Sequence, residues 1–309
     1  MLVNASTIQA VFLNLNASFN NAFEGAPVMW DQIAMLSPSG SRENVYAWLE
    51  NFPRMRQWIG EKDVKALIAH GYTVVNQDWE ATVEVDRNDI EDDNLGIYAP
   101  MAQSAGYSAK QLPDEIVLGV VNGAFENPCY DGQPFFSGAH PVQGEPWSNL
   151  GNVQLSIAGQ AQAMNSLGVA RTQLRKVADN EGRPLNINPN ILLVPPALED
   201  TANALMINDR LNDGMPNPYK GTMKVICDAR LTSDSAWFVL DTTKPVKPFI
   251  YQQRKAPVFV QQTEPEAEGV FTRKKFKFGA EARAAGAYGF WQLAWGSTGT
   301  TAPAGAPAQ

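Results

Sequence analysis

Residues 78–93 read Asp78-Trp79-Glu80-Ala81-Thr82-Val83-Glu84-Val85-Asp86-Arg87-Asn88-Asp89-Ile90-Glu91-Asp92-Asp93. Trp79, Ala81, Val83, Val85 and Arg87 alternate with Glu80, Thr82, Glu84 and Asp86. A period of two belongs to a β-strand with one apolar and one charged face. The stretch holds eight acidic residues against Arg87 alone, so its outer side is strongly negative. Just upstream, Tyr72 to Val75 is aromatic and β-branched, and Met55 to Ile59 can supply another strand. A protruding β-hairpin or small meander over 54–93 is expected. Asp86, Asp89, Glu91, Asp92 and Asp93 have the oxygen chemistry for Ca2+ or Mg2+, but the run lacks the glycine at the sixth position of an EF-hand loop. A solvated face, or one meeting Lys and Arg of a neighbour, is the simpler reading.

Working outward toward the N-terminus, residues 37–53 are loose: Ser37, Pro38, Ser39 and Gly40, then Pro53. They read as an extended arm or linker. Before them, Ile8, Val11, Phe12, Leu15, Phe19 and Phe23 recur every three or four residues, the spacing of an amphipathic helix. That apolar stripe needs a covering surface, either the chain's own core or a neighbouring subunit.

Downstream, Ile97, Met101, Ala105, Ile116, Val117, Val120 and Val121 keep helical spacing over 95–125. Pro113 interrupts them, because its ring clashes with the carbonyl one turn back, so a long helix in two pieces is expected. Residues 126–150 carry seven Pro and Gly and form a long loop. Loops of this length are usually functional or make interfaces. From 151, a long helix (Ile157 to Val177) stops at Gly182 and Pro184. Then follow the apolar strand Ile191 to Val194, a helix over Leu198 to Met206, and strands at Lys224 to Cys227, Trp237 to Leu240, Phe249 to Tyr251 and Val258 to Val260. Helices mixed with strands indicate an α+β or α/β domain. Phe276, Phe278, Ala280 and Ala282 alternate, and an aromatic cluster of Tyr288, Phe290, Trp291 and Trp295 closes this unit. Residues 297–309 are uncharged and built from Gly, Ser, Thr, Ala, Pro and a final Gln, the composition of an extended or disordered tail. No repeat of fixed period is visible.

The composition bounds the function. Hydrophobic residues make up 44% and charged residues 18% of the 309, enough apolar surface for a real core in one to three domains. The net charge of -8 argues against a dedicated nucleic-acid binder, which needs a basic face. The first cation is Arg42, so no basic signal-peptide region opens the sequence. No apolar run approaches about 18 residues, so no membrane span is expected. The chain is expected to remain, soluble, in the compartment where it is made. Cys129 and Cys227 are too few for a disulfide scaffold and form no CxxC pair. With only His70 and His140 to help them, a structural zinc site of the usual paired spacing is not expected.

Chemistry-bearing motifs are sparse. Cys129 and His140 share the loop Cys-Tyr-Asp-Gly-Gln-Pro-Phe-Phe-Ser-Gly-Ala-His-Pro and have the residue types of a nucleophile–base pair. No third, orienting residue is evident, and a packed loop anchored by Tyr130, Phe135 and Phe136 is the plainer account. Arg273, Lys274, Lys275 and Lys277 have the charge to touch phosphates. Their alternation with Phe276 and Phe278 fits an edge or surface strand, and they can also meet the acidic 78–93 segment of another copy. P-loop, GxGxxG, GxSxG and HExxH patterns are absent. No catalytic residue, cofactor or metal ligand is predicted.

Taken in order, these parts resemble a known family: the major capsid proteins of tailed phages, with the α+β Hong Kong 97-like fold, and among them the major head subunit of Mu-like phages. The likeness rests on Tyr46-Ala47-Trp48, Arg56-Gln57-Trp58-Ile59-Gly60, Asp78-Trp79-Glu80, Val85 to Asp93, Cys129-Tyr130-Asp131-Gly132 with Phe135-Phe136 and His140-Pro141, and Pro184-Leu185-Asn186-Ile187 before Leu192-Leu193-Val194-Pro195. It spans about 1–296. The resemblance implies an N-terminal arm (1–53) and an extended β-hairpin loop (54–93) lying over an adjacent subunit. It implies a peripheral domain (94–150 and 270–296) with a spine helix at 95–125, an axial domain (151–269) and a C-terminal tail (297–309). Copies are expected to assemble as pentamers and hexamers into an icosahedral head that encloses double-stranded DNA without reading its sequence. Assembly in the host bacterial cytoplasm and residence in the virion follow, as do scaffold, portal and decoration proteins as partners. The sequence opens on no long charged helical leader, so a separate scaffold is expected. Lys62 and Lys65 raise the lysine–asparagine cross-linking of some relatives, but no asparagine and glutamate partners are identifiable and none is predicted. The inter-subunit candidates are Phe12, Phe19, Trp58, Trp79, Glu84, Asp86, Arg87, Asp92, Asp93, Arg273, Lys274 and Lys275. An encapsulin-like compartment and a Cys129/His140 hydrolase are the competing readings.

Overall fold

The computed structural model describes residues 5–50, 71–91, 98–142, 144–179, 182–263 and 274–301. In chain order come α1 (Ala5–Gly25), α2 (Trp30–Ile33), β1 (Ala34–Pro38), β2 (Glu43–Tyr46), β3 (Tyr72–Val75), β4 (Gln77–Asp86), α3 (Arg87–Glu91) and α4 (Ala99–Asn122). Next are β5 (His140–Val142), β6 (Glu145–Trp147), β7 (Leu150–Val153), α5 (Gln160–Ala163), α6 (Val169–Lys176), β8 (Ile191–Val194) and α7 (Glu199–Ile207). Last are β9 (Lys224–Cys227), β10 (Trp237–Leu240), β11 (Phe249–Gln262), β12 (Lys275–Tyr288) and β13 (Ala294–Thr301).

Two sheets organise them. The first has the order β1-β11-β12-β4, antiparallel except for the parallel β1–β11 edge. Val83 and Val85 of β4 and Phe276 and Phe278 of β12 are buried, as the period of two requires. Helices α1 and α4 pack together over this sheet. Val11, Leu15 and Phe19 of α1 are buried, and the Phe12 ring lies 5.7 Å from that of Phe259 and 6.5 Å from that of Phe278. Fully burying each such side chain is worth roughly 1.5–3 kcal/mol, which explains why a helix near the terminus is held down. The helices meet where Gly106 of α4 lies under Phe19: a Cβ added there would be 2.2 Å from the Phe19 carbonyl oxygen. Gly106→Val is therefore expected to lift α1 and to destabilise the subunit by about 1–3 kcal/mol in chemical unfolding. An unchanged midpoint would mean that α1 is not seated there.

The second sheet has the order β7-β13-β10-β8-β9, with β8–β9 and β13–β7 parallel. Its central strands, Ile191–Val194 and Trp237–Leu240, are buried at every residue, as a strand covered on both faces must be. One covering helix runs from α5 into α6 through a π-helical turn, Met164–Gly168. There the Ser166 hydroxyl donates back to the Gln162 and Ala163 carbonyls, a local competition that loosens the helical ladder.

The loop 126–150 and the C-terminal half of α4 join the two halves. Phe135 packs against Phe249 and Tyr288 of the first sheet, with ring centroids at 5.2 and 4.8 Å. Its neighbour Phe136 packs on Phe238 of the second sheet at 5.4 Å. Asp114, on α4 and 1% exposed, accepts the Met29 and Trp30 backbone N–H groups at 3.0 and 2.7 Å. It also pairs with Arg230, which follows β9, at 3.4 Å.

Several expectations are corrected. Pro113 does not split the spine helix: α4 is one helix with Pro113 inside it, and the packing of its flanks on α1 and the first sheet outweighs the lost hydrogen bond. The segment expected as a linker over 37–53 holds the end of β1 (Ser37 and Pro38) and all of β2 among its described residues. Tyr72–Val75 pairs with Glu43–Tyr46, whereas Gln77–Asp86 belongs to the first sheet, so the hairpin base starts ten or so residues before the expected boundary of 54. The two strands expected around Phe249 and Val258 are one strand, β11, bent by register shifts between Gln253 and Val258. The basic segment at Lys275–Lys277 is not an edge, because β12 is flanked by β11 and β4. The tail is a strand as far as Thr301, paired with β10 and β7. The strand expected at Met55–Ile59 lies outside the described residues.

Candidate functional site

Two regions carry the residues singled out from the sequence. The first is the outer part of the first sheet. Glu84 Oε2 lies 2.9 Å from Lys275 Nζ, its Oε1 lies 3.9 Å from Lys277 Nζ, and Asp78 pairs with Arg283 at 2.7 Å. Lys275 stands opposite Asp86 in the ladder, and the Arg87 N–H donates to the Lys274 carbonyl at 2.9 Å. The acidic and basic segments thus meet within one chain, where they had been offered as a contact between copies. Trp79 is half-buried and donates its indole N–H to the Ala284 carbonyl at 3.2 Å. Phe19, on the inner face of α1, is buried, and Phe12 on the same helix is partly buried, so the chain's own core covers the helical stripe. Trp58, Asp92, Asp93 and Arg273 lie outside the described residues, as do Lys62 and Lys65. Among the described residues β4 has no partner on its outer side, with Asp78, Glu80 and Thr82 exposed along that edge.

The β2–β3 hairpin is fastened at its base. The side chain of Gln252, fully buried on β11, donates to the Val74 carbonyl at 3.1 Å and to Asn76 Oδ1 at 2.8 Å, and it accepts from the Tyr46 hydroxyl at 2.8 Å. Asn76 in turn donates to Ser39 Oγ and to the Ser41 carbonyl. These bonds satisfy the polar groups where the hairpin leaves the sheet. On this hairpin Val45 and Val75 expose apolar side chains.

The second region is the loop with Cys129 and His140. Pro128 and Pro134 bridge its stem, Cys129 N–H donates to the Gln133 carbonyl at 2.8 Å, and Gly132 turns at φ +81°, a conformation that favours glycine. This tight turn puts Cys129 and Asp131 on one side. The thiol donates to Asp131 Oδ1 at 3.1 Å, and His140 Nδ1 lies 2.6 Å from Oδ2. The imidazole stacks flat on Trp291, 4.0 Å between centroids and 7° between planes. Burial, reinforced by the Asp131 charge, pushes the Cys129 thiol far above its ordinary value. Burial alone would raise Asp131, but the hydrogen bonds and charge of His140, with bonds from Cys129 and Gln133, outweigh it and hold the carboxyl below its usual range. The Asp131 carboxylate is hydrogen-bonded to both thiol and imidazole, an arrangement unlike a nucleophile–base dyad, in which the base bonds the thiol directly. Asp131 was the residue missed from the sequence; its signal is the Cys-x-Asp spacing in the loop that also supplies the histidine. Among the described residues, Cys129, Asp131 and His140 form a group of possible metal ligands, with ligand atoms within 4.8 Å of one another.

Comparison with known proteins supplies the rest. The family described as Mu-like prophage major head subunit gpT matches residues 8–163, 149–231 and 227–305. The major capsid protein of Escherichia phage Mu is 31% identical over 294 residues, covering 95% of this chain and 74% of that protein. Among solved structures, the procapsid of bacteriophage JBD30 is similar with a TM-score of 0.58 and 29% identity, covering 96% of this chain and 76% of that one. The JBD30 capsid decorated with minor capsid protein trimers is similar with a TM-score of 0.56 and 28% identity, over 67% of this chain and 92% of that one.

Proposed function

The chain belongs to the family of Mu-like prophage major head subunits, and from that membership we propose how it builds a head: copies associate as pentamers and hexamers that close into an icosahedral shell around double-stranded DNA. The chain is a major capsid protein with the Hong Kong 97-like α+β fold, a structural shell component. The observation that carries the reading is the match along nearly the whole chain to a phage capsid protein and to a procapsid subunit. A compartment shell with enzyme cargo is the weaker reading, because it shares only the fold.

The proposed shell assigns a role to each part of the fold. The first sheet with α1 and α4 forms the peripheral part, the second sheet with its helices forms the axial part, and the β2–β3 hairpin reaches from the first sheet toward a neighbour. Val45 and Val75, exposed on that hairpin, and the β4 edge, unpaired among the described residues, are surfaces that a second copy would cover. The net charge of -8 suits a container, since a shell that gripped its DNA would hinder packing and release. Decoration by a minor capsid protein, as on the JBD30 capsid, a separate scaffold, a portal and assembly in the host cytoplasm complete the proposal. No described helix is long and apolar enough to cross a membrane.

Native mass spectrometry of the purified chain at low salt is expected to give assemblies of five and six copies. A chain that stays monomeric at every concentration, with scaffold added, would overturn the pentamer–hexamer scheme. The part played by the acidic strand is separable. Glu84 and Lys275 are both partly exposed, so Glu84→Gln is expected to cost the isolated subunit under about 1 kcal/mol. If Glu84 also serves a contact between copies, shell yield in a sedimentation assay falls far more than this loss explains. Equal, small losses in both assays would confine Glu84 to its own sheet.

A further inference from the structure

The two ring nitrogens of His140 set a condition on the Cys129–Asp131–His140 group. Nε2 lies 3.2 Å from the Phe135 carbonyl oxygen, which can only accept, so Nε2 carries a proton. Nδ1 lies 2.6 Å from Asp131 Oδ2, a second acceptor when the carboxyl is ionised. In a neutral imidazole protonated on Nε2, the Nδ1 lone pair faces the carboxylate. Two facing lone pairs in a buried place repel, so a cation must stand between them: a proton or a metal ion. Cys129 Sγ faces the same carboxylate from the other side, and all three residues are buried or nearly so, with side-chain exposures of 0% for His140 and 10% for Asp131.

We propose that Cys129, Asp131 and His140 bind one thiophilic divalent cation per subunit, of the Zn2+ class. The donor set selects this class, because thiolate with imidazole suits zinc and disfavours Mg2+ and Ca2+. The outer contacts are those of a metal-bound histidine: the second ring N–H donates to a backbone carbonyl, and Trp291 fixes the ring plane. The turn at Gly132 already presents Cys129 and Asp131 together, so little chain ordering remains for binding.

Charge and protons balance. Without metal, the Asp131 carboxylate and a doubly protonated His140 sum to zero beside a neutral thiol. On binding, the cation replaces the thiol proton and the Nδ1 proton, two protons leave to solvent, and nothing is oxidised or reduced. Thiolate, carboxylate and the divalent cation again sum to zero, so the buried site stays neutral in both states. Tetrahedral zinc keeps its ligand atoms roughly 3.3–3.7 Å apart, so Asp131 must swing off His140 by about an ångström. Its second oxygen or a water takes the fourth position. The paired Cys/His spacing by which a structural zinc site was excluded does not register this set, because one of its three donors is an aspartate.

The test uses the full-length chain, in whatever assembly it adopts, carrying Cys227→Ser so that Cys129 is its single thiol. After dialysis against a chelator, Co2+ is added at mildly alkaline pH, followed by Zn2+. The expected result is a thiolate-to-cobalt absorption band at about one ion per subunit, lost when Zn2+ displaces Co2+, and a higher unfolding midpoint with metal than with chelator. Cys129→Ser and His140→Gln should remove the band while circular dichroism stays native. A folded chain that gives no thiolate band with Co2+, or a band that survives in either variant, would overturn the proposal. The Co2+ and Zn2+ titration of the C227S chain decides the matter even if a further variant fails to fold.

Discussion

Replacing Asp114 by Ala is expected to lower subunit stability by about 3–5 kcal/mol, the range for removing one partner of a buried charged network. Asp114 is 1% exposed and takes hydrogen bonds from two consecutive backbone N–H groups, those of Met29 and Trp30. Those donors open the short helix α2, where the first N–H groups have no partner within the helix. Alanine would leave both donors without their acceptor at a half-buried site, and each charge-assisted bond is worth roughly 1.5–3 kcal/mol. Arg230 would fare better, because Asp228 holds its Nε at 3.0 Å. Asp114→Asn keeps an acceptor for the backbone while losing the charge, so about half the loss is expected from it. Chemical unfolding of subunits or capsomers measures both. A loss under about 0.5 kcal/mol for Asp114→Ala would show that the segment 26–33 is not pinned to α4.

Phe135→Ala is expected to cost a similar 3–5 kcal/mol, the usual range for emptying a phenylalanine site in a packed core. Phe135 is 0% exposed and touches the rings of Phe136, Phe249 and Tyr288 at 5.0, 5.2 and 4.8 Å. Its backbone carbonyl also receives Asn149 Nδ2 at 2.8 Å, so the residue is fixed at both ends and the cavity cannot readily collapse. Because Phe135 faces the first sheet and Phe136 the second, the variant should also uncouple them. Two unfolding transitions in place of one would show that loss of coupling, while a single transition at the original midpoint would contradict the role given to this loop.

Local periodicity read most of the secondary structure correctly, since it reports which face of each element is buried. The stripe of α1, the all-apolar β8 and β10, and the alternation in β4 and β12 were legible for that reason. Pairing was not. Nothing local to Gln77–Asp86 says that its partner is Lys275–Tyr288, nearly two hundred residues away, and not Tyr72–Val75 next to it. The charged face suggested projection into solvent, whereas Lys275 and Lys277 neutralise it in the same sheet. The Ser-, Thr- and Gly-rich start of the tail concealed β13, because there the ladder to β10 and β7 and the burial of Ser297 outweigh weak strand propensity. In the Cys129 loop both end residues were visible, and the joining Asp131 was hidden by the absence of any periodic signal in a turn.

The central claim, a subunit whose copies close into a shell, is tested most directly by electron cryo-microscopy of the full-length chain expressed with the scaffold of its own phage. Closed icosahedral particles, with rings of five and six subunits whose density holds the two-sheet fold and the β2–β3 hairpin laid on a neighbour, are the predicted result. Particles that never close, or a uniform population of single subunits in the presence of scaffold, would contradict it.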